Sequence, residues 1–397
     1  MHYLDNSATT APSEKARAAF VRALEIWGNP SSVYSLGRDA HSLLESSRQS
    51  VLKALGAKKN NGDLLIFTSS GTEANNLAIT GCAFSKERRP SPSGSLGTVI
   101  MGLGEHPSVE NPVLQLKKHG FTVDGIPTKS GMLDLGYLEE VLSNAVSPVV
   151  LAAFMLVNNE TGALYDVSSA SALVKRYFPD ASVHCDAVQA FMKTPFSPSS
   201  IGADTVTVSA HKIHAPRGAG ALYVSKSIIT RKNLVPVTLG GGQENGFRSG
   251  TENLCAISAF AAAAEDSLEH FDENVERTAF LRERLDSELL SVCPEIRFNR
   301  PSGNSVCDIC SLIVPGVRSE TMLNFLSANG IYVSAGSACS ARSKKRSGAL
   351  EAFGTSADDA DSTLRISLSY TNTEEDISAL TSALRQGLDR LAKKKGQ

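Results

Sequence analysis

Short apolar runs bounded by turn residues alternate along the chain with longer stretches of helical composition. Residues 63–68, Asp-Leu-Leu-Ile-Phe-Thr, form one such run, and unbroken apolarity over so few positions predicts a strand buried on both faces. A Ser-Ser-Gly-Thr turn follows, and from Glu73 the segment Ala-Asn-Asn-Leu-Ala-Ile-Thr-Gly reads as a helix. Further strands are predicted over 97–101, 148–154, 182–185, 205–208 and 219–224. This alternation implies a largely parallel sheet covered by helices on both faces, an α/β layer architecture.

From about residue 255 the texture changes. Residues 256–289 are rich in Ala, Glu and Arg and read as one long helix, after which shorter strands and amphipathic segments follow. The 397 residues exceed one ordinary core, on a prior of about 150 residues per domain. A second domain is therefore expected to start near 255. No internal repeat is visible, and the polar stretch 86–97 reads as a surface loop.

Composition narrows the class. With 39 basic and 41 acidic residues the net charge is −2, which gives no bulk field to attract nucleic acid. No apolar run approaches the roughly 18 residues needed to cross a bilayer, and the start Met-His-Tyr-Leu-Asp has no basic region followed by an apolar stretch. Seven thinly spread cysteines do not make a secreted disulfide framework, so a reducing cytoplasm is expected. Cys307 and Cys310 have zinc-knuckle spacing, yet no second pair completes four ligands. Both read as structural thiols, and no metal is expected.

The candidate chemistry centres on Lys212. It follows the β-branched run 205–208 in Ser-Ala-His-Lys, and a lysine held at a strand end can form a Schiff base with an aldehyde cofactor such as pyridoxal phosphate. That cofactor needs an acidic partner for its ring nitrogen. Asp186 stands where the 182–185 strand should end, although helix N-capping is the alternative reading of an aspartate there. Gln189 can donate to the ring's phenolic oxygen, and His106, between a strand and Pro107, can lie flat against the ring. In the 67–73 segment, Phe-Thr-Ser-Ser-Gly-Thr-Glu, backbone N–H groups and the Thr72 hydroxyl can hold a phosphate at a helix start. An ordinary strand–helix connection would look the same.

Taken in order, several segments resemble the cysteine desulfurases of the class V pyridoxal-phosphate aminotransferase group, with the type I fold. They are Tyr3-Leu-Asp-Asn-Ser-Ala-Thr-Thr, Gly28-Asn-Pro-Ser-Ser, the 67–73 segment, Glu105-His, Asn158-Asn-Glu-Thr-Gly, Asp186-Ala-Val-Gln, Ser209-Ala-His-Lys, Gly240-Gly-Gly-Gln-Glu-Asn-Gly-Phe-Arg-Ser-Gly-Thr, Ser334-Ala-Gly-Ser-Ala-Cys-Ser and Leu364-Arg-Ile-Ser-Leu. The resemblance implies a large cofactor domain over 16–255 and a small α+β domain from 1–15 and 256–397, carrying a mobile cysteine loop at about 334–348. It implies that Lys212 holds the cofactor and moves protons, Asp186 and Gln189 bind the ring, and His106 stacks on it. The phosphate would be held by Gly71, Thr72, Ser209 and His211, with Thr251 reaching across from the second subunit of a homodimer. Arg365 and Asn159 would bind the substrate carboxylate, since a guanidinium fork matches a carboxylate. Cys339, in small and polar surroundings, would accept the sulfur of L-cysteine as a persulfide.

The acceptor implied is an iron–sulfur scaffold protein or a tRNA-thiolation enzyme, with no direct nucleic-acid or membrane contact. The run Arg342, Lys344, Lys345 and Arg346 either lowers the thiol's pKa or docks that acceptor, or is a solvated loop. The sequence departs from the family pattern at Tyr34, His214 and Ala335, none of which is a group named in the chemistry. A selenocysteine lyase or cysteine desulfhydrase of the same fold, or a non-catalytic sulfur-relay protein that kept the fold, are the alternatives.

Overall fold

The central sheet has seven strands: β1 (Leu64–Thr68), β2 (Thr98–Gly102), β3 (Thr122–Ile126), β4 (Val149–Met155), β5 (Ser182–Asp186), β6 (Thr205–Ser209) and β7 (Gly220–Val224). They belong to a computed structural model that describes residues 1–57, 61–86, 90–91, 94–336 and 347–392. Across the sheet the order is β1-β7-β6-β5-β4-β2-β3. Strand β7 is antiparallel to both neighbours, and every other pairing is parallel. Reversal at both edges of β7 leaves β1 running in the same sense as β6. The carboxyl ends of β1, β2, β4, β5 and β6 therefore open on one edge, where α/β sheets bind ligands.

Every residue of β2, β4, β5, β6 and β7 is buried, which accounts for the unbroken apolar run of β4, while β5 and β6 bury Ser182, His184, Asp186, Thr205, Thr207 and Ser209 beside their apolar residues. Strand β3 is absent from the sequence expectation. It lies at the sheet edge, and its Thr-Val-Asp-Gly-Ile is only half-buried, so Asp124 and Gly125 break the apolar pattern without penalty.

The helix expected over 256–289 is two helices, α5 (Leu254–Glu269) and α6 (Phe271–Val292); α1 (Glu14–Leu24), α2 (Ser35–Ala54), α3 (Gly71–Ala83) and α4 (Pro107–Lys117) precede them. The break is at His270, whose φ of −110° and ψ of 25° leave the helical region. Helix α5 packs on α1 and α2, and its Ala256, Ile257, Ala259 and Phe260 belong to the core of the central sheet. Leu281, Leu285 and Leu289 of α6 belong to a second core. The change of core falls at the His270 break rather than at residue 255, because the alanine-rich faces of α5 fit closely against the large sheet's helices.

The second core surrounds a three-stranded antiparallel sheet of Arg297–Phe298, β8 (Ile309–Ile313) and β9 (Thr363–Ser367). Helices α6, α7 (Ser319–Ala328) and α8 (Glu374–Leu391) supply its apolar side chains. The start of the chain ties the two cores together. His2–Tyr3 pairs with Ile331–Tyr332, Leu4 is buried in the second core, and Thr10 N–H then donates to the His211 carbonyl at 2.9 Å. Among the described residues no helix is long and apolar enough to cross a membrane.

Candidate active site

Strand β6 ends at Ser209 and turns through a 3₁₀ segment, Ala210–Lys212. The turn delivers Lys212 to the sheet's carboxyl edge. Its Nζ donates to the carbonyls of Ser7 at 2.5 Å and Ala8 at 2.8 Å, so the amine is held by the strap that the chain's start lays across the site.

Asp186 is the last residue of β5 and is buried. Its Oδ1 accepts from Val188 N–H at 2.9 Å and its Oδ2 from Asn75 Nδ2 at 2.7 Å. Turns follow it rather than a helix, which removes the N-cap alternative. His106 caps α4: its Nδ1 accepts from Ser108 N–H at 3.1 Å and lies 2.7 Å from Ser108 Oγ. Burial pushes this imidazole below its ordinary pKa, Lys212 and Arg365 push the same way, and Asp186 opposes them.

Helix α3 begins at Gly71 and Thr72, with the Ser70 hydroxyl capping Glu73 N–H at 3.2 Å. The turn fits so closely that a Cβ on Gly71 would meet Val188 Cγ2 at 3.0 Å, and one on Gly220 of β7 would meet the Ser70 carbonyl carbon at 2.4 Å. His211 contacts Thr9 Oγ1 at 3.1 Å, and burial with the nearby Lys212, Arg217 and Lys193 charges pushes its pKa down to about 4.

Gln189 has a fixed orientation. Lys193 Nζ, which can only donate, reaches Oε1 at 2.9 Å, so Nε2 is the other end and donates to Ser7 O at 2.9 Å. Lys193 is itself paired with buried Asp308 at 3.0 Å. Arg365, on β9 and only 2% exposed, donates to the Asn159 carbonyl and to Asp5 Oδ1, each at 2.9 Å. Its Nε and the Ser209 hydroxyl are buried with no hydrogen-bond partner among the described residues.

One cavity of about 280 Å³ is lined by Gly71, Thr72, His106, Asn159, Asp186, Gln189, Ser209, His211, Lys212 and Arg365. Thr251 is exposed and does not line it. Cys339 and the basic run after it lie outside the described residues. Ser334 exchanges backbone hydrogen bonds with Arg365 at 3.1 and 2.7 Å, and the Ser347 hydroxyl donates to Glu160 Oε2 at 2.5 Å. Burial raises the Glu160 carboxyl above its usual range, against the Ser347 hydrogen bond and the Arg365 charge.

Sequence reasoning missed Asn75, the Ser7 and Ala8 carbonyls, Ser108 and Lys193. Lys193 lies four residues after Gln189, and Asn75 lies on the first turns of the helix that opens at Gly71. Ser7 and Ala8 lie in the Tyr3–Thr10 motif, to which no role was assigned, and no motif marked Asn75 or Lys193. The assembled groups are an amine nucleophile, a buried carboxylate, a neutral imidazole, a guanidinium and hydroxyl and N–H donors at a helix start.

The aminotransferase class-V profile matches residues 2–380. The cysteine desulfurase IscS of Dictyoglomus turgidum is 33% identical over 391 residues, which is 98% of this chain and 95% of that protein. A solved NifS-like protein from Rickettsia africae superposes with a TM-score of 0.86 at 30% identity, covering 98% of this chain and 99% of its own. The structure described as SspA in complex with cysteine gives 0.76 at 29% identity, covering 94% and 100%. The chain belongs to the aminotransferase class-V family.

Proposed function

We propose that the protein is a pyridoxal-phosphate-dependent cysteine desulfurase that converts L-cysteine to L-alanine and takes the sulfur onto Cys339 as a persulfide. The observation that carries this reading is the meeting of Lys212, Asp186, His106 and Arg365 around one cavity. Close full-length likeness to a cysteine desulfurase supports it, as does likeness to a protein described in complex with cysteine.

The residues present fit pyridoxal phosphate. The unpartnered Ser209 hydroxyl, Thr72 and the first-turn N–H groups of α3 suit a phosphate, buried Asp186 suits a protonated ring nitrogen, and Lys212 suits the aldehyde. When bound, that group serves as an electron sink for charge developing at a substrate carbon. Arg365, helped by Asn159, would orient the cysteine carboxylate, with the unpartnered Nε facing a site that needs another acceptor. The Lys212 amine, freed of the Ser7 and Ala8 carbonyls, would take the Cα proton and return one to the product. His106, kept neutral by burial, would cover the ring face and exclude water.

Cys339 would act as its thiolate, the competent nucleophile. Its sulfur bonds to the cysteine sulfur as the substrate's carbon–sulfur bond breaks, and the thiol proton is passed on to the alanine product. The balance is one cysteine and one protein thiol giving one alanine and one protein persulfide. A reading as homodimer, with Thr251 serving the partner's phosphate site, is supported by exposed apolar residues on the 21–36 segment, Trp27 at 75% and Val33 at 87% among them. The sulfur acceptor is proposed to be an iron–sulfur scaffold protein or a tRNA-thiolation enzyme in the cytoplasm.

Lys212→Ala tests the cofactor assignment. Wild-type protein loaded with pyridoxal phosphate should be yellow and keep the label on the peptide bearing Lys212 after borohydride reduction. The variant should lose that covalent label entirely. Retention of the label in the variant would place the covalent link on another amine.

A further inference from the structure

From the wall of the cavity, where Asn75 and Ser108 stand, a continuous line of buried polar groups that no step above uses runs inward. Asn75 is 1% exposed and His184 is fully buried. Asn75 Nδ2 lies 2.7 Å from Asp186 Oδ2 and 2.8 Å from Ser108 Oγ, and its Oδ1 lies 3.0 Å from His184 Nε2. His184 Nδ1 lies 2.9 Å from Thr205 Oγ1.

The direction of every bond in this line follows from one fact. An ionised carboxylate only accepts, so the amino end of Asn75 must face Asp186 and its oxygen must face His184. His184 then donates through Nε2, leaving Nδ1 bare to accept from Thr205. The second hydrogen of the same Asn75 nitrogen goes to Ser108 Oγ, which turns its own hydrogen to His106 Nδ1. The Ser108 backbone N–H also points at that nitrogen. His106 therefore carries its proton on Nε2. Burial supports the arrangement by pushing the His184 pKa down to about 4, which keeps that ring neutral with a single N–H.

We infer that Asn75 is the positioning residue of the ring site: one amide nitrogen fixes the carboxylate of Asp186 and, through Ser108, the tautomer of His106, while His184 fixes Asn75. This rests on the cofactor reading above. With Asn75 and Val188 each occupying part of the Asp186 carboxylate, the lone pairs left over are those available to a ring nitrogen. The group below the ring and the group over its face are set by the same side chain.

The test uses the full-length protein with ¹⁵N-labelled histidine, and pyridoxal phosphate itself as ligand. Without cofactor at pH 7, wild-type His184 should be neutral with its proton on Nε2 and slow to exchange. Asn75→Ala should bind pyridoxal phosphate roughly tenfold or more weakly, as loss of a hydrogen bond to a charged group implies, with a displaced visible band and a faster-exchanging His184 proton. Asn75→Leu, of similar size but without a donor or a charge, should show the same losses, separating donation from space-filling. Wild-type affinity and spectrum in a folded Asn75→Leu protein overturn the assignment. If neither variant folds, the wild-type spectrum decides, because a His184 proton on Nδ1, or a doubly protonated His184 at pH 7, reverses the line. Failure of the wild type to take up pyridoxal phosphate, with the histidine spectrum as expected, contradicts the functional reading instead.

Discussion

His184 shows how burial behind the site is written into stability. Its pKa is lowered from 6.5 to about 4, first by desolvation, with the Asp186 charge and the Thr205 backbone opposing. A histidine depressed in the folded state contributes stability that is complete above about pH 6.5 and is lost as pH falls from there through about 4. For this ring the loss amounts to roughly 3 kcal/mol. Chemical unfolding measured from pH 7 to pH 4 should therefore show a steep decline in wild type and a shallower one in His184→Gln; equal slopes would mean that other groups set the acid response. Arg365 gives a second expectation at this scale. Arg365→Lys keeps a charge near Asp5 but cannot span Asp5, Asn159 and a substrate carboxylate together, so the cysteine concentration at half-saturation should rise about tenfold or more. An unchanged value would place the carboxylate elsewhere. Individual site residues were legible because each carries reactive chemistry in a motif. Asn75 and Lys193 were not, because an Asn on a helix and a Lys four residues after a Gln gain meaning only from what they touch in three dimensions.

At the scale of elements, the site depends on where strands stop. The unbroken apolar run of β4 and the β-branched run of β6 announced buried strands, and Asp186 and Lys212 stand at the end of β5 and just past the end of β6. Edge strand β3 and the break at His270 escaped notice. Half-burial lets polar residues into β3, and helical periodicity continues through both α5 and α6, so only the backbone angles at His270 reveal the division. The turn before α3 is held by contact with β7. Gly220→Ala would push a methyl against the Ser70 backbone at 2.4 Å, and a backbone neighbour cannot rotate away. Loss of pyridoxal phosphate binding, by equilibrium dialysis, should be far larger than any loss of helix content by circular dichroism. Unaltered binding would show that the turn yields without consequence.

At the scale of the whole molecule, the large and small sheets meet at one cavity, and polar ties join them beside Val306 and Ile309, which pack into the large sheet's core. Arg365 of the small sheet reaches Asn159 and Asp5, Lys193 of the large unit reaches Asp308, and Ser7 and Ala8 cross over Lys212. The sequence located the reactive groups but not these ties, since they join residues far apart in the chain. The same assembly bonds Ser334 to Arg365 and Ser347 to Glu160. The central claim is that Cys339 receives the sulfur. Mass spectrometry of the pyridoxal-phosphate-loaded protein after incubation with L-cysteine should find one added sulfur atom on the peptide containing Cys339, alanine in equal amount, and neither in Cys339→Ser. Sulfur on Cys307 or Cys310 instead, or full alanine formation by the serine variant, would contradict the account.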